Sequence, residues 1–399
     1  MKPLHQQIIK DTNLKLIYSL IHQNDGISRA TLAKTLKLSK TTVSTLTDEL
    51  IIRKFIIDAG TSPTSSVGRR PNGLSVRAGS YYVIVINWTR HQVNAHVVDI
   101  TGTVVYEEQL NLDEASYVTL SQSSVYDSIL NRFDRNSILG ICIVVSAMID
   151  TKHEEIYSTT LCLKHREDES LISLLRKGFP DFSVNLLNDT ACHAYAEKVY
   201  GKVTEKDFAF INFAGGIGAT LFINGNMLGK ADGSSTQFGH YSINPDGPQC
   251  SCGNKGCLEA TIGEQNLDSY LKKFGSFSSY SKNEITYEDL GKAAALGNDA
   301  AIHAITSMAE DFSYALGNLI CIVNPKLVII GGRSRNLGDL FLKEIRTFLE
   351  HTGFRKMVDE VELRYTHLTG DAYIIGAMKY FFDIHFGFCS DAIPSFCIG

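Results

Sequence analysis

The sequence has no apolar run approaching the roughly 18 residues that a membrane-spanning helix needs. Its polar start, Met1–Lys10, has no apolar signal-peptide core. A cytoplasmic protein is expected. Cysteine is sparse and odd in number, nine in 399 residues, which fits reduced thiols better than a disulfide framework. Tryptophan occurs once, at position 88. Charged residues at 20% and hydrophobic residues at 44% exclude a disordered, collagenous or fibrous chain. The length leaves room for two or three domains and a sizeable core.

Net charge is small, -5, but uneven. Residues 1–79 hold 12 Lys and Arg against 5 Asp and Glu, while the remainder holds 26 against 38. A basic head on an acidic body suggests that the head alone meets a polyanion. The head reads as three short helices and a hairpin. Leu14, Ile17, Tyr18 and Ile21 recur at helical spacing, and Asn24-Asp25-Gly26 stops that helix. Ser28 and Ser39 are natural N-caps for two further helices, the first burying Leu32, Ala33 and Leu36 and the second Val43, Leu46 and Leu50. The short break between them has helix-turn-helix spacing. Phe55–Ile57 and Leu74–Val76 read as strands around a polar wing tip, Ser62–Gly73.

From about Tyr81 strands and helices alternate, which implies an α/β body with ligands at the carboxyl ends of strands. The expected domains are 1–79, 80–200 and 201–399. Two constellations carry chemistry. On the third helix Thr41, Thr42, Ser44, Thr45 and Asp48 lie off the apolar stripe, with Lys40 at its start. Small hydroxyl side chains and a lysine suit a major-groove reader. Arg29 is placed for a phosphate, and Arg69 and Arg70 for the minor groove. Farther on, Cys250, Cys252 and Cys257 with His240 upstream can close a tetrahedral Cys₃His site. With no position left for water, the expected zinc is structural.

These residues carry a family resemblance. Pro245–Glu259, reading PDGPQCSCGNKGCLE, resembles the zinc signature of the ROK family, named for repressor, open reading frame and kinase. Ile27–Ala30, Ser39–Ser44 and Gly68–Pro71 resemble the heads of that family's xylose and N-acetylglucosamine repressors. Asn188-Asp189, Gly216–Gly218, Phe238–His240, Asn324-Pro325 and Gly331-Gly332 resemble its sugar-kinase body. The resemblance implies a winged helix-turn-helix followed by a two-lobed, actin/hexokinase-like body, acting as a dimer or dimer of dimers on a palindromic operator. It implies a sugar or sugar derivative as effector, held by Asn188, Asp189, Gln237, His240 and Glu259. For Asp189 a helix N-cap role fits as well.

The departures from the family pattern bear on activity. Where family kinases have an Asp-x-Gly-Gly-Thr phosphate turn, this chain has Asn87-Trp88-Thr89-Arg90-His91. The acidic residue and both glycines are gone, so no kinase activity is expected. Trp88 either joins the core or fills the former phosphate site. Gln237 stands where the family has Glu, Ser146–Asp150 replaces a Pro-Gly-Pro-Val-Asp turn, and Thr190-Ala191 replaces Ala-Asn. Each changes which substituents the pocket prefers. Cys142, Cys162, Cys192 and Cys321 read as small core residues. Cys389 and Cys397 have no evident partner, and the tail after Phe386 is unreadable. The rival to a sugar-responsive repressor is a sugar kinase with accessory DNA binding.

Overall fold

Apolar side chains three and four apart build the first element, α1 (Lys2–Gln23), which buries Leu14, Ile17, Tyr18 and Ile21. At 22 residues it is not the short helix expected. The computed structural model describes residues 2–58, 73–112, 116–161, 163, 169–274, 285–389 and 396–399. They fall into two units. Unit one comprises Met1–Ile143, Ser173–Leu186 and Ala377–Cys397, and unit two Val144–Ile172, Leu187–Gly376 and Ile398–Gly399.

In unit one, β1 (Ile27–Ser28) leads into α2 (Arg29–Leu36), where the Thr31 amide donates to Ser28 Oγ at 3.1 Å. Lys37 leaves the helix in the left-handed region, φ 55°. The cap of α3 (Lys40–Ile52) is Ser39, which accepts from the Thr42 amide at 3.0 Å. Both serine caps stand where the sequence puts them. The strands β2 (Ile56–Asp58) and β3 (Gly73–Val76) complete an antiparallel sheet of order β1-β3-β2. The wing tip and its Arg69 and Arg70 lie outside the described residues.

A six-stranded sheet follows. It contains β4 (Tyr82–Trp88), β5 (Gln92–Asp99), β6 (Val104–Asn111), β7 (Ile138–Val145), β10 (Val184–Asn188) and β16 (Phe396–Ile398), in the order β16-β10-β7-β4-β5-β6. The interior strand β7 reads ILGICIVV and is almost wholly buried, as a strand covered on both faces requires. Helices α4 (Tyr117–Ser123) and α5 (Leu171–Gly178) accompany the sheet.

Unit two opens with a small hairpin, β8 (Met148–Asp150) and β9 (Glu155–Tyr157), and α6 (Asp189–Tyr200). Its main sheet contains β11 (Phe208–Phe213), β12 (Ile217–Ile223), β13 (Asn226–Met227), β14 (Leu327–Gly332) and β15 (Glu362–Tyr365), in the order β13-β12-β11-β14-β15. The chain after the cysteine loop forms two short helices, α7 (Leu258–Ile262) and α8 (Leu267–Leu271), parted at Gly263. Among the described residues four α-helices follow before the last: α9 (Tyr287–Ala295), α10 (Asp299–Val323), α11 (Gly338–Leu349) and α12 (Arg355–Asp359). Ile305, Met308, Phe312 and Leu316 of α10 pack with Phe341 and Ile345 of α11 in one core. Cys142 and Cys192 are core residues as expected, whereas Cys321 is exposed on α10 and its Sγ accepts from the Phe354 amide at 3.1 Å. Cys162 lies outside the described residues. Among the described residues no helix is long and apolar enough to cross a membrane.

The last α-helix among the described residues, α13 (Ala372–Tyr380), leads to a segment that closes on the head within unit one. Phe55 lies 4.5 Å from Tyr81 and 4.9 Å from Phe388, ring centre to ring centre, and Tyr18 stacks on Phe382 at 5.5 Å. Arg53 covers the rings of Phe55 and Phe388 and donates to Phe388 O at 2.8 Å. The Cys389 amide donates to Asp11 at 2.8 Å. Phe55→Ala opens a cavity at the centre of this cluster. A loss of about 3–5 kcal/mol in chemical denaturation is expected. A loss below about 1 kcal/mol would mean that the cluster relaxes freely.

Candidate functional site

On the head, Lys40, Thr41, Thr45 and Asp48 of α3 are exposed. Thr42 is half-buried and its hydroxyl meets Ser39 Oγ at 2.8 Å, so it serves the cap. Arg29 does not reach into solvent for a phosphate. Its guanidinium donates to Ser44 Oγ at 3.0 Å and pairs with Asp48 at 2.7 Å, which ties α2 to the outer face of α3.

In unit two a cavity of about 510 Å³ brings together Asn188, Asp189, Gln237, His240 and Glu259, all five of the effector residues that the resemblance implies. Serine and threonine hydroxyls at 146, 158, 159 and 160 also line it. The last three follow the β8–β9 hairpin, which the sequence reading missed because its strands are only three residues long. The N-cap of α6 is Asn188, not Asp189: the Ala191 amide donates to Asn188 Oδ1 at 3.0 Å. Asn188 Nδ2 donates to Ala147 O at 2.9 Å, so its side chain braces the wall as it faces the cavity. Gln237 is exposed and donates to Gly233 O at 2.8 Å, fixing which way its amide points.

Asp189 sits in the first turn of α6, where the Thr190 amide donates to it at 2.7 Å. Burial raises its carboxyl from 3.8 to about 6, against hydrogen bonds from Thr190 and Ser146. Glu259, in the first turn of α7, accepts from the Ile217 amide at 2.7 Å and from the Thr159 hydroxyl at 3.3 Å. A Cβ on Gly216 would overlap its carboxylate, so a side chain there would displace Glu259.

Beside the cavity, the donor atoms of His240, Cys250, Cys252 and Cys257 all lie within 4.8 Å of one another. Cys250 Sγ is 3.5 Å from His240 Nδ1, and Cys252 Sγ is 3.6 Å from Cys257 Sγ. With metal–sulfur bonds of about 2.3 Å, a tetrahedral site needs donor separations of roughly 3.5–3.8 Å. The four residues therefore could hold a metal ion. The loop closes through the Cys250 amide, which donates to Asn254 O at 2.8 Å. At Gly256, φ is 65° and a Cβ would overlap Asn244 O.

Trp88 belongs to the core of unit one. It is 1% exposed, stacks on Tyr117 at 4.9 Å and donates to Ser121 Oγ at 3.0 Å.

Residues 83–383 match the ROK family, and the chain belongs to it. A xylose repressor from Caldicellulosiruptor bescii is 29% identical, with 93% of this chain and 95% of that one covered. The N-acetylglucosamine regulator NagC of Escherichia coli is 24% identical over 85% of each chain. A crystal structure of a ROK family transcriptional regulator, a homologue of the E. coli Mlc protein, superposes with a TM-score of 0.77. It is 22% identical and covers 94% of this chain and 97% of its own. At that identity the likeness is one of fold.

The Asp189 shift has a sign that can be measured. Its folded pKa lies above its unfolded value, so folding favours the protonated form. The stability it contributes is full below about pH 3.8 and is lost as pH rises through about 6. Asp189→Asn keeps the shape and removes the charge. Its stability relative to wild type should therefore rise from pH 4 to 7, by up to about 3 kcal/mol in urea titrations. A pH-independent difference would place the carboxyl in an unperturbed setting.

Proposed function

We propose that this protein is a sugar-responsive transcriptional regulator, acting as a repressor of carbohydrate-utilisation genes in the cytoplasm. Residues 1–79 are its winged helix-turn-helix reader of operator DNA. The observation that carries this reading is a three-helix unit, its third helix exposing Lys40, Thr41, Thr45 and Asp48, placed ahead of a ROK body. A kinase has no use for such a head, and the names of the relatives support the regulatory role. Xylose, the sugar in the name of the 29% identical relative, is the first effector to test.

On the head, Lys40 and the wing arginines Arg69 and Arg70 contact phosphate, while Thr41, Ser44 and Thr45 face base edges. Arg29 orients Ser44 and Asp48. In the body, Asp189 and Glu259 accept hydroxyl protons of the sugar, and Asn188, Gln237 and His240 complete its shell. Carboxylate acceptors suit a polyhydroxylated ligand, since charge-assisted bonds are the strong ones. A zinc ion held by His240, Cys250, Cys252 and Cys257 braces the wall that carries Glu259. It is structural, because four protein ligands fill a tetrahedral shell. Two chains form a dimer on a palindromic operator, and sugar binding changes the relative placement of their heads. No ATP-dependent turnover is expected, since the stretch set against the kinase phosphate turn, 87–91, lacks its acid and glycines.

Two measurements test this reading. In an operator shift assay, neutralising Lys40, Arg69 and Arg70 together should flatten the salt dependence by about three ions. Changes at Thr41 or Thr45 should alter sequence preference instead. In calorimetry with D-xylose, D-glucose and N-acetylglucosamine, Asp189→Ala should weaken binding at least about tenfold, the loss of one charge-assisted bond. Its operator affinity without sugar should be unchanged. ADP release dependent on any of these sugars would favour the kinase instead.

Elemental analysis should find one zinc per chain. Cys252→Ala should lower both zinc content and sugar response. Protein free of zinc yet fully responsive would remove the brace.

A further inference from the structure

The turn joining β11 to β12, Ala214-Gly215-Gly216, has almost no side chain with which to fix itself, yet its polar groups are held. The Ala214 amide donates to Gly216 O at 2.9 Å, and Gly215 O accepts from the Gln265 side chain. The Ile217 amide donates to Glu259 at 2.7 Å. Ala214 O accepts from Arg333 Nη2 at 2.7 Å. Ala214, Gly216 and Ile217 line the cavity, but Arg333 and Glu264 do not.

Arg333 is itself anchored. Its Nη1 lies 2.7 Å from Glu264 Oε2, and Glu264 Oε1 accepts from the Tyr287 amide at 2.9 Å, at the start of α9. The Glu264 side chain is only 9% exposed against 52% for Arg333. A carboxylate this buried needs a cation and donors around it, so the pair makes a fixed point from which the guanidinium reaches the turn. Glu259 and Glu264 lie on α7 and the turn after it. They grip the two sides of the same turn, one through the Ile217 amide and the other through Arg333.

We propose that Arg333 and Glu264 are positioning residues of the effector pocket. The guanidinium, clamped by Glu264, holds the Ala214–Gly216 wall in the shape that meets a polyhydroxylated ligand and keeps Glu259 in register. The assignment rests on the sugar-sensing reading above. Glycine loses more conformational freedom on ordering than any other residue. A wall with two adjacent glycines, left unclamped, would be ordered only when the ligand arrives, at a cost in affinity. Arginine suits the task and lysine does not, because two acceptors are met by two nitrogens of one rigid fork.

The test uses the full chain as wild type, Arg333→Lys, Arg333→Met, Glu259→Gln and the Arg333→Met/Glu259→Gln double variant. Each is titrated calorimetrically with D-xylose, D-glucose and N-acetylglucosamine, and amide exchange is followed at Ala214 and Ile217. Both Arg333 variants should bind about tenfold more weakly, with unchanged operator affinity in the absence of sugar. Their Ala214 and Ile217 amides should exchange about tenfold faster while those of β14 do not change. The double variant should lose much less than the two single losses combined, because both residues act on one turn.

Wild-type affinity in either Arg333 variant, additive losses in the double variant, or unchanged exchange at the turn would each overturn the proposal. A wild type that binds none of the sugars would overturn the sensing reading instead. Exchange at the turn still reports on the clamp in that case.

Discussion

One carboxylate holds the cavity of unit two together. Glu259 accepts from the Ile217 amide with one oxygen and meets the Thr159 hydroxyl with the other. It thereby joins the β11–β12 turn to the segment after the β8–β9 hairpin. It stands two residues after Cys257, so its place depends on how the cysteine loop closes. That closure in turn requires glycine at 256, where any side chain would overlap Asn244 O. A chain of local necessities therefore links the cysteine cluster to the cavity wall. On the proposed function, metal binding and ligand binding are then coupled, because Cys257 caps the short helix that carries Glu259.

The head poses a different constraint. Tyr18, Phe55, Tyr81, Phe382 and Phe388 form a continuous aromatic cluster, reinforced by Arg53 and by the bond from Cys389 to Asp11. Aromatic pairs add stabilisation beyond their buried area. Lys379, 1% exposed, adds an ion pair to Asp383 and a bond to Ser19. The three-helix head is thus packed into unit one, not hung from it by a free linker. On the proposed function, a signal to the operator is then carried by unit one as a whole, since reorienting the head alone would break the cluster.

Local signals were legible and distant returns were not. Both serine caps, the buried stripes of α1 and α3, the buried strand β7 and the convergence of His240 with three cysteines follow from residue type and spacing. The alternation of strands and helices after Tyr81 showed that the body is α/β. What the sequence concealed was the partner of each surface. Nothing in residues 386–389 marks them as the cover of Phe55, because their role exists only once distant segments meet. Arg29 looked like a free phosphate ligand because its partners, Ser44 and Asp48, are brought to it by the α2–α3 crossing. The hairpin strands of β8 and β9 are too short for any periodicity to register. The unit boundaries, too, run through separated stretches of chain, which a linear reading cannot join.

The stretch around Trp88 bears on both fold and activity. The family resemblance sets Asn87–His91 against a turn that needs open backbone, where glycine lets amide groups approach phosphate. Here the two glycine positions hold Thr89 and Arg90. Trp88 falls on the turn's variable position and is buried against Tyr117 and bonded to Ser121, while the Tyr117 hydroxyl donates to Thr89 O at 2.9 Å. Phosphoryl transfer depends on positioning and charge neutralisation, so under the proposed function the missing acid and glycines leave little to hold a nucleotide. Under the proposed function that loss is consistent with the rest of the chain. A body that binds a sugar without consuming it leaves the binding free energy available to shift a conformational equilibrium. A sensor needs that shift.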